Sequence, residues 1–150
     1  MKLKFETVID ASRDAVWAAF DKPENMPRWQ QNLVSFNHIS GEPGQPGAVS
    51  ELTYDEKGKK VVLKETITER RKPDFLARTY ESQVAKTLIV NHFEAVDENS
   101  TRWTSWCNFT FRGFMRIMSL FVSGMIRKRT RADMERFKLM VETDQASNES

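Results

Sequence analysis

Apolar and polar positions alternate from the first residues of the chain. Between residues 2 and 9 the charged Lys2, Lys4 and Glu6 alternate with Leu3, Phe5, Thr7 and Ile9, which is the period of a strand with one buried face. Ser12 is then placed to cap a helix, in which Val16 and Phe20 follow at helical spacing. Pro23 ends that helix, so the pattern predicts a strand followed directly by a short helix.

The next segments change from helical to strand character. Pro27 is placed to begin a second, one-turn helix that ends near Trp29. Beyond it, β-branched and aromatic residues dominate and are interrupted by the turn sequences GEPGQPG, EKGK, KPD and DENS. Connections this short favour antiparallel neighbours. Six further strands are therefore predicted, over residues 33–40, 48–56, 59–71, 75–83, 85–95 and 101–112.

The last part of the chain has the period of a helix. After Gly113 apolar residues recur every 3.6 positions, which predicts one long helix from 114 to about 142. Residues 143–150 lack that pattern and are predicted to be a disordered tail, so a single domain is expected over 1–142. The expected fold class is α+β: a curved, seven-stranded antiparallel sheet wrapped around the long C-terminal helix, with two short helices after strand 1.

Composition limits the classes of partner. The chain has 150 residues and a formal net charge of +2, which gives no long-range attraction for polyanions, so nucleic acid is not an expected partner. One cysteine, Cys107, allows no internal disulfide and suits a reducing cytoplasm, where we expect the protein. The two histidines belong to no cluster with metal-ligand spacing, so neither a metal site nor a cofactor is predicted.

Four segments carry a resemblance to a known superfamily. They are IDASRDAVWAAFDKPENMPRW, GQPGAV, ENSTRWTSW and RTRADMERFKLMVE. With the order of elements, they resemble the START-related (SRPBCC) superfamily in its polyketide cyclase/dehydrase-like branch. The resemblance implies the helix-grip fold over residues 1–142 and a deep apolar cavity between sheet and long helix. It also implies binding or transport of a hydrophobic small molecule there, such as a lipid, polyketide or quinone, although fold alone does not fix function.

Several side chains are expected to line that cavity. The resemblance places Met26 and Trp29 at the cavity mouth; a Trp29 that merely covers the core is the alternative. Alternation assigns inward positions along the strands, where Val34 shares a face with two candidates, and we expect a cavity of a few hundred Å3. The candidate ligand-binding residues are Met26, Trp29, Phe36, His38, Tyr54, Leu63, Glu65, Asn91, Phe93, Trp103, Ser105, Phe109, Met118 and Phe121.

Glu65 is the candidate with the most chemical content. Alternation groups it with Leu63 and Ile67, and a carboxylate in apolar surroundings must be paired, hydrogen-bonded or neutral. It could orient a polar group of the ligand or act as a general acid or base. A register slip of one residue, or a pairing with an arginine, is the alternative.

Three functional classes fit these positions. A carrier of a hydrophobic molecule needs one polar group in the cavity or none. A cyclase- or dehydratase-type enzyme needs at least two that converge, with Glu65, His38 or Tyr54 as acid or base. A protein-interaction module would dock through the outer sheet face or the long helix and would have a filled interior. The oligomeric state stays open.

The long helix also contains a basic run. The apolar residues 114–126 are followed by RKRTR at 127–131, part of which must be exposed. An ordinary solvated face is one interpretation, since Asp133 and Glu135 follow and can pair with the cations. Transient contact with anionic lipid headgroups is the other.

Overall fold

The computed structural model describes residues 1–149, which form seven strands and three α-helices. The elements are β1 (Lys2–Ile9), α1 (Arg13–Phe20), a 3-10 turn (Pro23–Asn25), α2 (Met26–Trp29), β2 (Leu33–Ser40), β3 (Val49–Glu56), β4 (Lys59–Arg71), β5 (Phe75–Glu81), β6 (Ala85–Asp97), β7 (Ser100–Phe111) and α3 (Phe114–Glu149).

The strands form one antiparallel sheet in the order β1-β7-β6-β5-β4-β3-β2. From β2 to β7 each strand pairs with its neighbour in sequence, and β1 joins the far edge by pairing with β7. The long helix α3 packs on this sheet, mainly against β1. The predicted α+β class and the helix-grip architecture are confirmed.

The two short helices are built as the sequence indicated. Ser12 Oγ accepts a hydrogen bond from the Ala15 amide at 3.2 Å and so satisfies one free donor of the first turn of α1. Pro23 begins the 3-10 turn, and Pro27 lies in the first turn of α2. Arg136 of α3 donates to the backbone oxygen of Trp29 at 3.1 Å, which fixes α2 against the long helix.

Aromatic rings form the centre of the core between the sheet and the helices. Phe20 stacks on Trp29 with ring centroids 5.8 Å apart and meets Phe137 edge-on at 5.7 Å. Phe93 and Trp103, from neighbouring strands, stack at 6.0 Å. Trp29 is therefore buried, with 7 % of its surface exposed, and it belongs to the core and to the wall of a cavity alike.

The long helix ends later than predicted. It continues to Glu149, so residues 143–149 are helical, contrary to the predicted disordered tail; Ser150 lies outside the described residues. The sequence there contains no glycine or proline to stop a helix. A contact with another helix also stabilises these last turns, because Arg28 of α2 donates two hydrogen bonds of 3.0 Å to the carboxylate of Asp144.

A bulge in β2 changes the predicted facing of one residue. The pairing with β3 shifts between Leu33 and Ser35, which inserts one extra residue into β2. Leu33 is buried as a result, whereas Val34 is 55 % exposed. The prediction that Val34 shares the inner face with Phe36 and His38 is wrong for this reason.

Candidate ligand-binding cavity

A cavity of about 280 Å3 lies between the sheet and α3. Its size falls within the predicted few hundred Å3. Most of the wall surface is apolar, and ten apolar side chains contribute to it: Phe20, Trp29, Val61, Leu63, Ile89, Trp103, Cys107, Phe109, Ile126 and Met134. Polar side chains form the rest: Gln30, Tyr54, Glu56, Arg78, Tyr80, Thr87, Asn91, Ser105, Arg129, Thr130 and Asp133.

The strand positions on this wall follow from two-residue alternation. On β7, Trp103, Ser105, Cys107 and Phe109 all point to the cavity, as predicted. The indole of Trp103 donates to Asn91 Oδ1 on β6 at 2.9 Å, and this buried bond ties the two strands together. Burial raises the pKa of the Cys107 thiol, so this side chain is a neutral wall group instead of a reactive thiolate.

Tyr54 lies near the outer end of the cavity. Its hydroxyl donates to Gln30 Oε1 at 2.7 Å, and the guanidinium of Arg129 lies 5.7 Å from the ring centroid. Burial, reinforced by the charge of Glu65, raises the pKa of Tyr54, so the phenol is protonated at neutral pH. Arg129 also forms an ion pair with Glu56, which joins the end of β3 to α3.

A polar cluster of Glu65, Arg78 and Tyr80 lies deeper in the sheet. Glu65 on β4 is directly opposite Tyr80 on β5, and Arg78 is two residues before Tyr80 on the same face. Burial, together with the nearby charge of Glu65, raises the pKa of Tyr80 well above its ordinary value. Glu65 is 3 % exposed, which confirms that it faces inward. Within residues 1–149, neither Glu65 Oε2 nor Arg78 Nε has a hydrogen-bond partner.

A second, smaller cavity adjoins this cluster. It has a volume of about 60 Å3 and lies under the loop between β2 and β3. Four predicted site residues gather here instead of at the larger cavity, namely Met26, Phe36, His38 and Glu65. Phe20 and Arg78 line both cavities. Of the other candidates, Trp29, Tyr54, Leu63, Asn91, Trp103, Ser105 and Phe109 line the larger one.

Three predicted residues line neither cavity. Phe93 is fully buried in the aromatic core, where its ring meets Trp17 edge-on at 6.0 Å. Met118 and Phe121 lie on the first turns of α3, but the core contacts of this helix begin only at Ile126. Phe121 is consequently 77 % exposed. Helical periodicity could identify an apolar face but not which turns of the helix meet the sheet.

Sequence reasoning missed Arg78, Tyr80 and Asp133. Leu76 is buried, and alternation along FLARTYE places Arg78 and Tyr80 on its face, so a signal for both existed. Asp133 was interpreted only as a partner for the basic run. It lies seven residues, about two turns, after Ile126 on the cavity side of α3. Burial raises the pKa of Asp133, against the opposing effect of its hydrogen bond from Arg136.

The described residues also bear on metal binding and on membrane insertion. Among residues 1–149, no group of three or more His, Cys, Asp or Glu side chains is arranged to hold a metal ion. No helix in the described chain has both the length and the apolar character needed to cross a membrane.

Seven antiparallel strands that wrap a long C-terminal helix, with a cavity between them, define a protein of the helix-grip class. The chain belongs to the family described as polyketide cyclase/dehydrase and lipid transport, whose profile matches residues 1–142. A comparison with curated proteins gives no significant match.

Solved structures show the same fold at low sequence identity. The ZhuI aromatase/cyclase from Streptomyces sp. R1128 is 12% identical, with a TM-score of 0.80 over 95% of this chain and 93% of that one. The protein TTHA0849 from Thermus thermophilus is 14% identical, with a TM-score of 0.79 over 96% and 99%. Ara h 8.0201 is 16% identical, with a TM-score of 0.76 over 95% and 98%. At such identities the similarity establishes the fold alone.

Proposed function

We propose that this protein binds a hydrophobic small molecule in the larger cavity, as a carrier or binding protein. The observation that carries the proposal is the cavity of about 280 Å3 with a mainly apolar and aromatic wall, which is the usual character of a small-molecule site. The family description, which includes lipid transport, supports the same class of ligand. A filled interior was expected of an interaction module, so the cavity argues against that alternative.

The polar cluster indicates that the ligand also carries a polar group. Arg78 Nε is a buried donor and Glu65 Oε2 a buried acceptor, and both lack a protein partner within the described chain. A buried group left unpaired costs about 1–3 kcal/mol, so a ligand oxygen or ordered water that reaches them is favoured. Arg78 lines the larger cavity, whereas Glu65 lines the smaller one. A hydroxyl or carbonyl oxygen of a ligand in the larger cavity therefore suits Arg78, because it can accept a hydrogen bond from the guanidinium.

Native mass spectrometry of freshly purified protein tests the proposal directly. We expect a co-purifying molecule of apolar character that is lost on denaturation. A thermal-shift panel of hydrophobic compounds provides the second measurement, since a ligand at about 100 times its Kd stabilises the folded state by about 2.7 kcal/mol. No co-purified molecule together with no stabilising compound would contradict the proposal.

An enzyme of the cyclase or dehydratase type is the second candidate. The observation that favours it is the convergence of Tyr54, Arg78, Tyr80 and Asp133 on one cavity. Because their pKa values are raised, the two phenols stay protonated at neutral pH and can donate hydrogen bonds to a developing negative charge, whereas Asp133, whose pKa is also raised, is suited to accept a proton. Glu65 and His38 belong to the smaller cavity and are less suited to this role.

The two candidates differ in what happens to the bound molecule. The co-purified molecule is incubated with the wild-type protein and with Asp133→Asn, and its mass is followed. Loss of water that depends on Asp133 would support the enzyme. An unchanged mass with both proteins would support the carrier.

The proposal includes a cytoplasmic location. The observation that supports this location is the single cysteine, since a chain without an internal disulfide suits a reducing compartment. Cell fractionation with an antibody to the native protein would test it.

A further inference from the structure

The first turns of α3 expose large apolar side chains to solvent. Five of them form what we call the apolar ridge, namely Phe114 (71 % exposed), Ile117 (68 %), Leu120 (84 %), Phe121 (77 %) and Met125 (63 %). Single exposed apolar residues are common on proteins, but five within three turns of one helix form a contiguous patch. Such patches mark surfaces that contact another molecule.

Helix geometry places the side chains of the apolar ridge on one face of α3. Its members are spaced by three or four residues, apart from the adjacent Leu120 and Phe121, and they fall within an arc of about 140° on one side of α3. Met115, Met118, Val122 and Ile126 occupy the other side and are half-buried. The helix is thus apolar on its inner and outer faces, whereas a surface helix normally has one polar face.

Positive charge surrounds the ridge. Residues 114–131 contain five cations and no carboxylate, although the whole chain has a net charge of only +2. Arg116 lies beside the ridge, and Arg127, Lys128 and Arg131 follow it; all four are exposed. The fifth, Arg129, turns inward to Glu56. The exposed surface therefore combines apolar side chains with exposed cations.

We propose that the apolar ridge and its flanking cations dock on an anionic lipid surface. Large apolar side chains of an interfacial helix enter the boundary between headgroups and acyl chains, while Lys and Arg contact the anionic headgroups. Ile126 and Thr130, the next turn of the same helix, line the larger cavity. Docking therefore brings the cavity close to the lipid, and it does so whether or not the cavity contains a ligand.

A second copy of the chain fits this surface less well. A two-fold dimer places the same patch of both subunits face to face. The four exposed cations of one copy would then lie near those of the other, and like charges at an interface are unfavourable. An anionic lipid surface complements both the apolar ridge, through its acyl chains, and the flanking cations, through its headgroups.

Co-sedimentation with vesicles tests the proposal. The probes are vesicles of phosphatidylcholine alone and vesicles that also contain phosphatidylserine, at low and high salt. We expect binding to the anionic vesicles, weakened by salt, and little binding to the neutral ones. Arg127→Gln with Lys128→Gln should lower the partition coefficient roughly fivefold for each cation removed. Leu120→Glu should lower it as well.

Matched control variants distinguish a loss of vesicle binding that is specific to the ridge from one caused by any change in exposed apolar surface or net charge. Leu139→Glu alters an apolar residue that is 54 % exposed on the same helix but outside the ridge. Lys22→Gln with Lys59→Gln removes two exposed cations elsewhere on the surface. Both controls should bind as the wild type does, and circular dichroism should show all variants folded.

Three results would overturn the proposal. The first is no binding to anionic vesicles at low salt. The second is an equal loss of binding in the ridge variants and in their controls. The third is a dimer in sedimentation analysis that Leu120→Glu dissociates, without vesicle binding, which would assign the ridge to a second copy.

Discussion

Arg78 occupies a position where one side chain meets both cavities. Its guanidinium lies 5.2 Å from the ring centroid of Phe20, and its Nε has no acceptor within residues 1–149. A buried charged donor that lacks an acceptor is more useful for orienting a ligand than for stabilising the fold.

Replacement of this side chain tests that role. A hydrogen bond to a charged group is worth about 1.5–3 kcal/mol, so Arg78→Gln should weaken binding of a polar-headed ligand by about one to two orders of magnitude. Binding of a pure hydrocarbon should change little. Isothermal titration calorimetry with both ligands checks this, with Arg112→Gln at the exposed end of β7 as the control. Equal losses for both ligands would contradict an orienting role.

Gly41 is the residue for which backbone conformation matters most. Its φ is +79°, and a Cβ there would lie 2.8 Å from the Gly47 oxygen and 2.9 Å from Ala48 Cα, both backbone atoms that cannot rotate away. Gly41→Ala should therefore lower the free energy of unfolding by about 1–3 kcal/mol. Gly124→Ala is the control, because that helical site has open space and should gain about 0.5–1 kcal/mol. Urea unfolding measures both.

Asp133 should make stability depend on pH. Burial raises its pKa above the ordinary 3.8, so the folded protein holds this proton more tightly than the unfolded chain. The contribution is then fully present below the unfolded pKa and is lost as the pH rises through the folded one. Relative to Asp133→Asn, the wild type should lose stability from about pH 4 upward. Urea unfolding across this range measures the difference, and a constant difference would contradict the prediction.

At the level of elements, the last turns of α3 show how an external contact extends a helix. Arg28 and Asp144 are both exposed enough that their pair is worth at most about 1 kcal/mol. Arg28→Ala should therefore leave global stability nearly unchanged but increase hydrogen exchange in residues 143–148. Exchange there as slow as in the wild type would show that the helix needs no such contact.

The sequence predicted the elements better than their ends and contacts. Alternation and helical period located every strand and helix, because burial of one face is a local requirement. The bulge after Leu33 is a feature of the pairing between β2 and β3, and the helical extension past 142 is contacted by Arg28 of α2; no local pattern reveals either contact. For the same reason the candidate residues along β7 line the larger cavity, whereas Met118 and Phe121 on α3 line neither cavity.

For the whole molecule, the interior volume itself can be tested. Leu63 lines the larger cavity, whereas its neighbour Val62 is 49 % exposed on the opposite face of β4. Leu63→Trp should fill the space and abolish stabilisation by hydrophobic compounds in a thermal-shift panel. Val62→Trp should respond as the wild type does. Retained stabilisation in Leu63→Trp would place the ligand elsewhere.

The wall shared by the two cavities bears on the range of ligand sizes. Among residues 1–149, Arg78 and Phe20 are the two residues that line both the space of about 280 Å3 and that of about 60 Å3. A different rotamer of Arg78 would therefore enlarge one cavity at the expense of the other. The conformation of this one side chain would then determine which ligand lengths fit. The protein could bind related molecules of different chain length with little change in its backbone.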